Sequence, residues 1–255
     1  MASATVLEQR CDAVSVMAGV SVRVFTPAVT AKDDAVLLNL HGGGFVVDSG
    51  SITENVPIAA LTGRRVVAVR YRLSPEHHFP AAVDDALAVY RALLAERPGR
   101  RIALYGTSAG AVLAAELVAR LRAEKLPVPV ALGFFSGTAD LTRGGNSLSA
   151  LGPGALAMMK GLYAPDRAAT DPLLSPALGD LSGWPPTLCV SSTRDYLLSA
   201  TARFCAALEA AGGDTRLIVY DGLPHAFWSY IEAPESDAAF GAMARFLRRA
   251  TEKKR

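Results

Sequence analysis

Short apolar runs, several rich in valine, recur at residues 22–25, 36–40, 66–69, 102–105, 128–135, 188–190 and 217–220. From the third run onward they alternate with alanine-rich segments of helical periodicity at 81–96, 109–125, 200–211 and 236–249. Strand followed by helix, repeated, forces a mainly parallel sheet with helices on both faces, because a parallel connection must cross over the sheet. Residues 14–17 and 22–25 flank Ala18-Gly19 with no room for a helix between them, so an antiparallel hairpin at one edge is expected. A chain of 255 residues can bury roughly three quarters of its unfolded surface and needs no staples. One domain over 1–255 is expected, with the Gly- and Pro-rich stretch 136–186 as an insertion that walls a binding site and carries one helix near 155–163.

Composition excludes several classes. The 26 Lys and Arg stand against 24 Asp and Glu, a net charge of +2, without a long basic run. No nucleic-acid partner is expected, although the Lys-Lys-Arg end would attract a polyanion weakly. Cys11, Cys189 and Cys205 are odd in number and lack C-x-x-C spacing, which suggests neither a disulfide framework nor a zinc site. Glu8, Arg10 and Asp12 interrupt the start of the chain where a leader would be apolar, and no run reaches the ~18 apolar residues of a membrane span. The expectation is a soluble, cytoplasmic protein without a membrane partner.

The chemistry is carried by short motifs in a definite context. Gly106-Thr107-Ser108-Ala109-Gly110 follows one apolar run and opens a helical segment. In that position G-x-S-x-G places the serine on a strained turn, with glycines where strand and helix approach closely; a tight structural turn is the alternative. His41-Gly42-Gly43-Gly44-Phe45 ends the run 36–40. Successive glycines let main-chain N–H groups turn toward an oxyanion; a phosphate cradle is the competing reading, but neither phosphate-loop pattern accompanies it. A serine nucleophile needs a base, and of four histidines His225 follows the last apolar run, where a loop would lift it to the same edge of the sheet. Asp195, after the run 188–190, is the best-placed orienting carboxylate, with a helix cap as its alternative role; Asp180, Asp214 and Asp221 are less well placed.

These residues resemble the hormone-sensitive-lipase-like branch of the α/β-hydrolases, the bacterial family IV esterases. The likeness rests on the His41–Phe45 loop, the stretch Tyr71-Arg72-Leu73-Ser74-Pro75-Glu76-His77-His78-Phe79-Pro80-Ala81-Ala82-Val83-Asp84-Asp85, the serine elbow, and Leu223-Pro224-His225-Ala226-Phe227, and it runs from about residue 20 to the end. It implies an α/β-hydrolase fold with Ser108 as nucleophile, His225 as general base then acid, Asp195 as orienter, and the N–H groups of Gly43, Gly44 and Ala109 as oxyanion donors. It also implies a small-molecule ester substrate, no cofactor, and a homodimer joined through the last strand. Two departures stand out. Only 40 residues precede His41, so the family's N-terminal helical cap must be reduced or absent. Asp195 is followed by Tyr196-Leu197 in place of the family's frequent Pro-Leu.

The activity expected is hydrolysis of short-chain acyl esters through an acyl-enzyme. Phe45, Phe135, Phe227 and Trp228 are candidate pocket residues. A lactone hydrolase is the nearest alternative, from the look of the segment 44–51. An acyltransferase or amidase, or a ligand-binding pseudoenzyme, are remoter ones.

Overall fold

The computed structural model describes residues 10–31, 34–96, 101–152 and 154–252, with side chains from residue 14 onward. Readings that fall on the first nine residues and on the Lys-Lys-Arg end lie outside them. Eight strands form one sheet in the order β1-β2-β4-β3-β5-β6-β7-β8. They are β1 Arg10–Met17, β2 Val20–Thr26, β3 Val36–Leu40, β4 Arg65–Val69, β5 Ile102–Thr107, β6 Ala131–Phe135, β7 Thr187–Arg194 and β8 Thr215–Pro224. The β1–β2 hairpin joins antiparallel to β4, and every later pairing is parallel. The run from residue 128 becomes a strand only at Ala131, because Pro127 and Pro129 offer no N–H to a ladder.

Six α-helices are formed among the described residues: α1 Ser51–Thr62, α2 Ala81–Glu96, α3 Ala109–Ala123, α4 Ala155–Tyr163 in the insertion, α5 Leu198–Ala210 and α6 Pro234–Thr251. Side chains alternate between faces along a strand, and the two halves of the core follow that period. Leu38 and Leu40 of β3, Leu104 of β5 and Phe134 of β6 pack with residues of α2, α3 and α5. Leu37, Ala103, Tyr105 and Phe135 point the other way and pack with α1 and α6. Helix α1 has no counterpart among the helical segments read from sequence, since Pro57 interrupts its pattern. Among the described residues no helix precedes the glycine loop, in line with a reduced cap. None of their helices is long and apolar enough to cross a membrane.

Candidate active site

Parallel strands end at one edge of the sheet, and the motif residues collect there. Ser108 sits between β5 and α3 at φ 58° and ψ −123°, a region that costs a non-glycine residue about 1–3 kcal/mol. Packing holds it there. The helix opened by this turn runs so close to β3 that a Cβ on Gly110 would lie 1.9 Å from the Leu40 carbonyl oxygen, and one on Gly106 would lie 2.3 Å from that of Gly110. The Ser108 N–H donates to the Phe135 carbonyl at 2.9 Å, tying the elbow to β6.

His225, just beyond β8, reaches back over the elbow. Its Nε2 lies 2.9 Å from Ser108 Oγ, and its Nδ1 lies 2.7 Å from Asp195 Oδ1. Asp195 follows β7 and is almost fully buried. Its second oxygen accepts from the Ser191 hydroxyl at 2.7 Å, while Oδ1 also accepts from the Leu197 N–H at 2.8 Å. Burial pushes this carboxyl up, but the hydrogen bond and charge of His225, with the Leu197 N–H, outweigh it and hold Asp195 below the usual carboxylate range. An anionic Asp195 fixes the proton on Nδ1, and the Nε2 lone pair is then aimed at the Ser108 hydroxyl.

The glycine loop passes beside the serine. A Cβ on Gly42 would stand 3.4 Å from that of Ser108. Gly43 adopts φ 113°, where a Cβ would fall 2.0 Å from the Val47 carbonyl oxygen, so only glycine fits. No protein acceptor among the described residues takes the N–H of Gly43, Gly44 or Ala109. The loop is anchored from below. Tyr71 donates to the His41 carbonyl at 2.7 Å, and the Ser74 N–H donates to that of Phe45 at 2.8 Å. Burial lowers the His41 pKa, and its Nδ1–H donates to the Gly42 carbonyl at 2.8 Å, so this histidine serves the loop's shape.

A cavity of about 400 Å³ opens over these groups, lined by Gly43, Gly44, Ser108, Tyr196, His225 and Tyr230 among others. The aromatic candidates from sequence are not among its walls. Phe135 and Phe227 are wholly buried and Trp228 nearly so, all in the core against α6, because strand alternation and the turn after His225 direct them inward. Phe45 stacks on Tyr163 of α4 at 3.6 Å between centroids, turned away from the cavity by its φ of 67°. Tyr196 and Tyr230 take the place expected of those four. The insertion does not line the cavity either. Its hollow of about 810 Å³ is its own, and it touches the site through Tyr163 on Phe45 and Ser147 on Tyr196. The family-like stretch from Tyr71 is scaffold: Arg72 pairs with Asp85 at 2.8 Å, while Glu76, His77 and His78 are exposed.

One titratable group escaped sequence reasoning because it lies on α1. Glu54 is buried beneath the elbow, where its carboxylate accepts from the Thr107 hydroxyl. Burial pushes its pKa up to about 7, against the weaker opposing bond from Thr107. Folding therefore favours the protonated form, and between the unfolded value of ~4.3 and about 7 this group costs increasing stability as pH rises. The melting temperature of Glu54→Gln minus that of wild type is expected to grow from pH 5 to pH 8. A difference that stays constant with pH contradicts the assignment.

The sheet order, the elbow, the glycine loop and the late histidine are those of an α/β-hydrolase, and the chain belongs to that family: residues 37–229 match its model, described as alpha/beta hydrolase fold. It is 35% identical over 235 residues to an acetyl-hydrolase of Streptomyces hygroscopicus, covering 86% of this chain and 77% of the relative. To the carboxylesterase NlhH of Mycobacterium tuberculosis it is 30% identical over 264 residues, covering 96% and 82%. The crystal structure of an esterase superposes with a TM-score of 0.87 at 36% identity, over 95% of this chain and 78% of that one. A hormone-sensitive lipase from a metagenome library gives a TM-score of 0.88 at 28% identity, over 96% and 85%. These relatives place the chain in the hormone-sensitive-lipase-like branch that its motifs resemble.

Proposed function

We propose that Ser108, His225 and Asp195 hydrolyse small carboxylic esters through an acyl-enzyme, with the N–H groups of Gly43, Gly44 and Ala109 as the oxyanion donors. The chain is a carboxylic ester hydrolase. The observation that carries the assignment of roles is His225 bridging Ser108 at 2.9 Å and Asp195 at 2.7 Å. Ser108 Oγ attacks the ester carbonyl as His225 Nε2 takes its proton, and the new oxyanion meets the free N–H groups. His225 then gives the proton to the departing alcohol, and water repeats the cycle to release the acid.

A cavity of about 400 Å³ with two tyrosines on its rim favours short acyl chains. Relatives named acetyl-hydrolase and ethyl acetate hydrolase favour open-chain acetyl esters over lactones. With p-nitrophenyl acetate, butyrate and octanoate and an ε-lactone as substrates, kcat/KM is expected to be highest for acetate or butyrate. Octanoate is expected at least about tenfold lower, the loss expected when a chain outgrows its pocket. Preference for octanoate or for the lactone contradicts this reading.

We read the chain as one catalytic unit in which 136–186 supports the site from behind, and as a cytoplasmic enzyme on account of its free Cys189 and Cys205. A homodimer through the exposed edge strand β8 completes the reading, and light scattering checks it.

A further inference from the structure

The loop that carries Asp195 carries a second group aimed at the reaction. Tyr196 stacks on the His225 imidazole at 4.1 Å between centroids and 28° between planes, and it lines the same cavity as Ser108. Its main chain is fixed from the insertion, where Ser147 Oγ donates to the Tyr196 carbonyl at 2.9 Å and accepts from the Ser199 N–H at 2.9 Å. Tyr230, the other tyrosine of the rim, already donates its hydroxyl to the His225 carbonyl at 2.7 Å. Of the two, Tyr196 is the one whose ring lies on the His225 imidazole.

The path of the proton fixes where the leaving group stands. His225 Nε2 takes the proton from Ser108 and returns it to the departing oxygen, so that oxygen must lie beside Nε2, across the carbonyl carbon from Gly43 and Gly44. A ring stacked on His225 and lining the same cavity as Ser108 stands beside that position. On the esterase reading proposed for this site, we infer that Tyr196 is a further catalytic residue, whose phenol O–H donates a hydrogen bond to the leaving alkoxide oxygen in acylation and to the attacking water's oxygen in deacylation. The proton that departs with the alcohol comes from His225 as the C–O bond breaks; Tyr196 keeps its own. Burial, with the charge of Asp195, pushes this phenol up to about 12, so it remains a donor throughout the working range.

The consequence is a dependence on the leaving group. Ethoxide is a far stronger base than p-nitrophenoxide and gains far more from a donor as charge develops on it. Ethyl acetate and p-nitrophenyl acetate share one acyl group, and kcat/KM reports acylation for both. Tyr196→Phe keeps the stacked ring and removes the hydroxyl. It is expected to lower kcat/KM about tenfold for ethyl acetate and less than about threefold for p-nitrophenyl acetate, the scale of one hydrogen bond to a charged oxygen. Equal losses on the two esters would reduce Tyr196 to a residue that positions His225, and no loss on either would remove it from the reaction; both overturn the inference. Labelling of Ser108 by a fluorophosphonate is measured in parallel. If wild type hydrolyses both esters but Ser108 takes no label, the esterase mechanism itself has failed; unequal labelling of wild type and variant is not required for either outcome.

Discussion

Replacing Ser108 by alanine is expected to lower kcat/KM for p-nitrophenyl acetate by about 10⁴-fold or more, the scale seen when a triad nucleophile is removed. Other hydroxyls line the cavity, but none can substitute. Ser49 and Ser229 have no imidazole within hydrogen-bond distance, and the Thr107 hydroxyl is committed to Glu54. Binding and oxyanion stabilisation survive in the variant, without an attacking group. Since the hydroxyl is not part of the packing between β5 and α3, the melting temperature should move by no more than a few degrees. A loss of activity below about tenfold would place the chemistry elsewhere.

The second large effect concerns stability. Gly110→Ala puts a methyl 1.9 Å from the Leu40 carbonyl oxygen and 2.6 Å from that of His41. Both obstacles are backbone, so no rotamer change relieves them, and α3 must move off β3. Overpacking of a core by one methyl commonly costs about 1–3 kcal/mol; against rigid backbone the upper end or beyond is expected, a fall in melting temperature of roughly 10 °C. His41 begins the glycine loop proposed to hold the oxyanion, so activity should fall with it. Gly161 in α4 is the control: nothing lies within 4 Å of a Cβ there, and Gly161→Ala should be neutral or raise stability by up to about 1 kcal/mol. Equal behaviour of the two variants in thermal denaturation would contradict the close approach of α3 and β3.

The fold and the candidate site were legible because each depends on local pattern. The Val-rich runs gave β3 at its observed bounds, helical periodicity gave α2 at its own, and the helix expected near 155–163 within the insertion is α4. Ser108, Asp195 and His225 each lie beyond the carboxyl end of a strand-forming run, and the structure links them by hydrogen bonds from Ser108 through His225 to Asp195. Direction of side chains was not legible. Phe135 lies two residues from Gly133 and one from Phe134, yet only the parity of β6 decides that it faces α6 and not the site. Helix α1 was hidden by Pro57, and with it Glu54. Tyr196 was visible only as a departure from the family's Pro at that position, a signal that marked a difference without saying what the ring touches.

The proposed covalent intermediate forms on Ser108. Treating the protein with a fluorophosphonate and mapping the adduct by peptide mass spectrometry tests it most directly, since the reagent reports an activated serine without any assumption about substrate. One adduct per chain is expected, on the peptide containing Ser108, absent in Ser108→Ala and formed much more slowly in His225→Ala. An adduct on Ser49 or Ser229, or none in a protein that still hydrolyses p-nitrophenyl acetate, would contradict it.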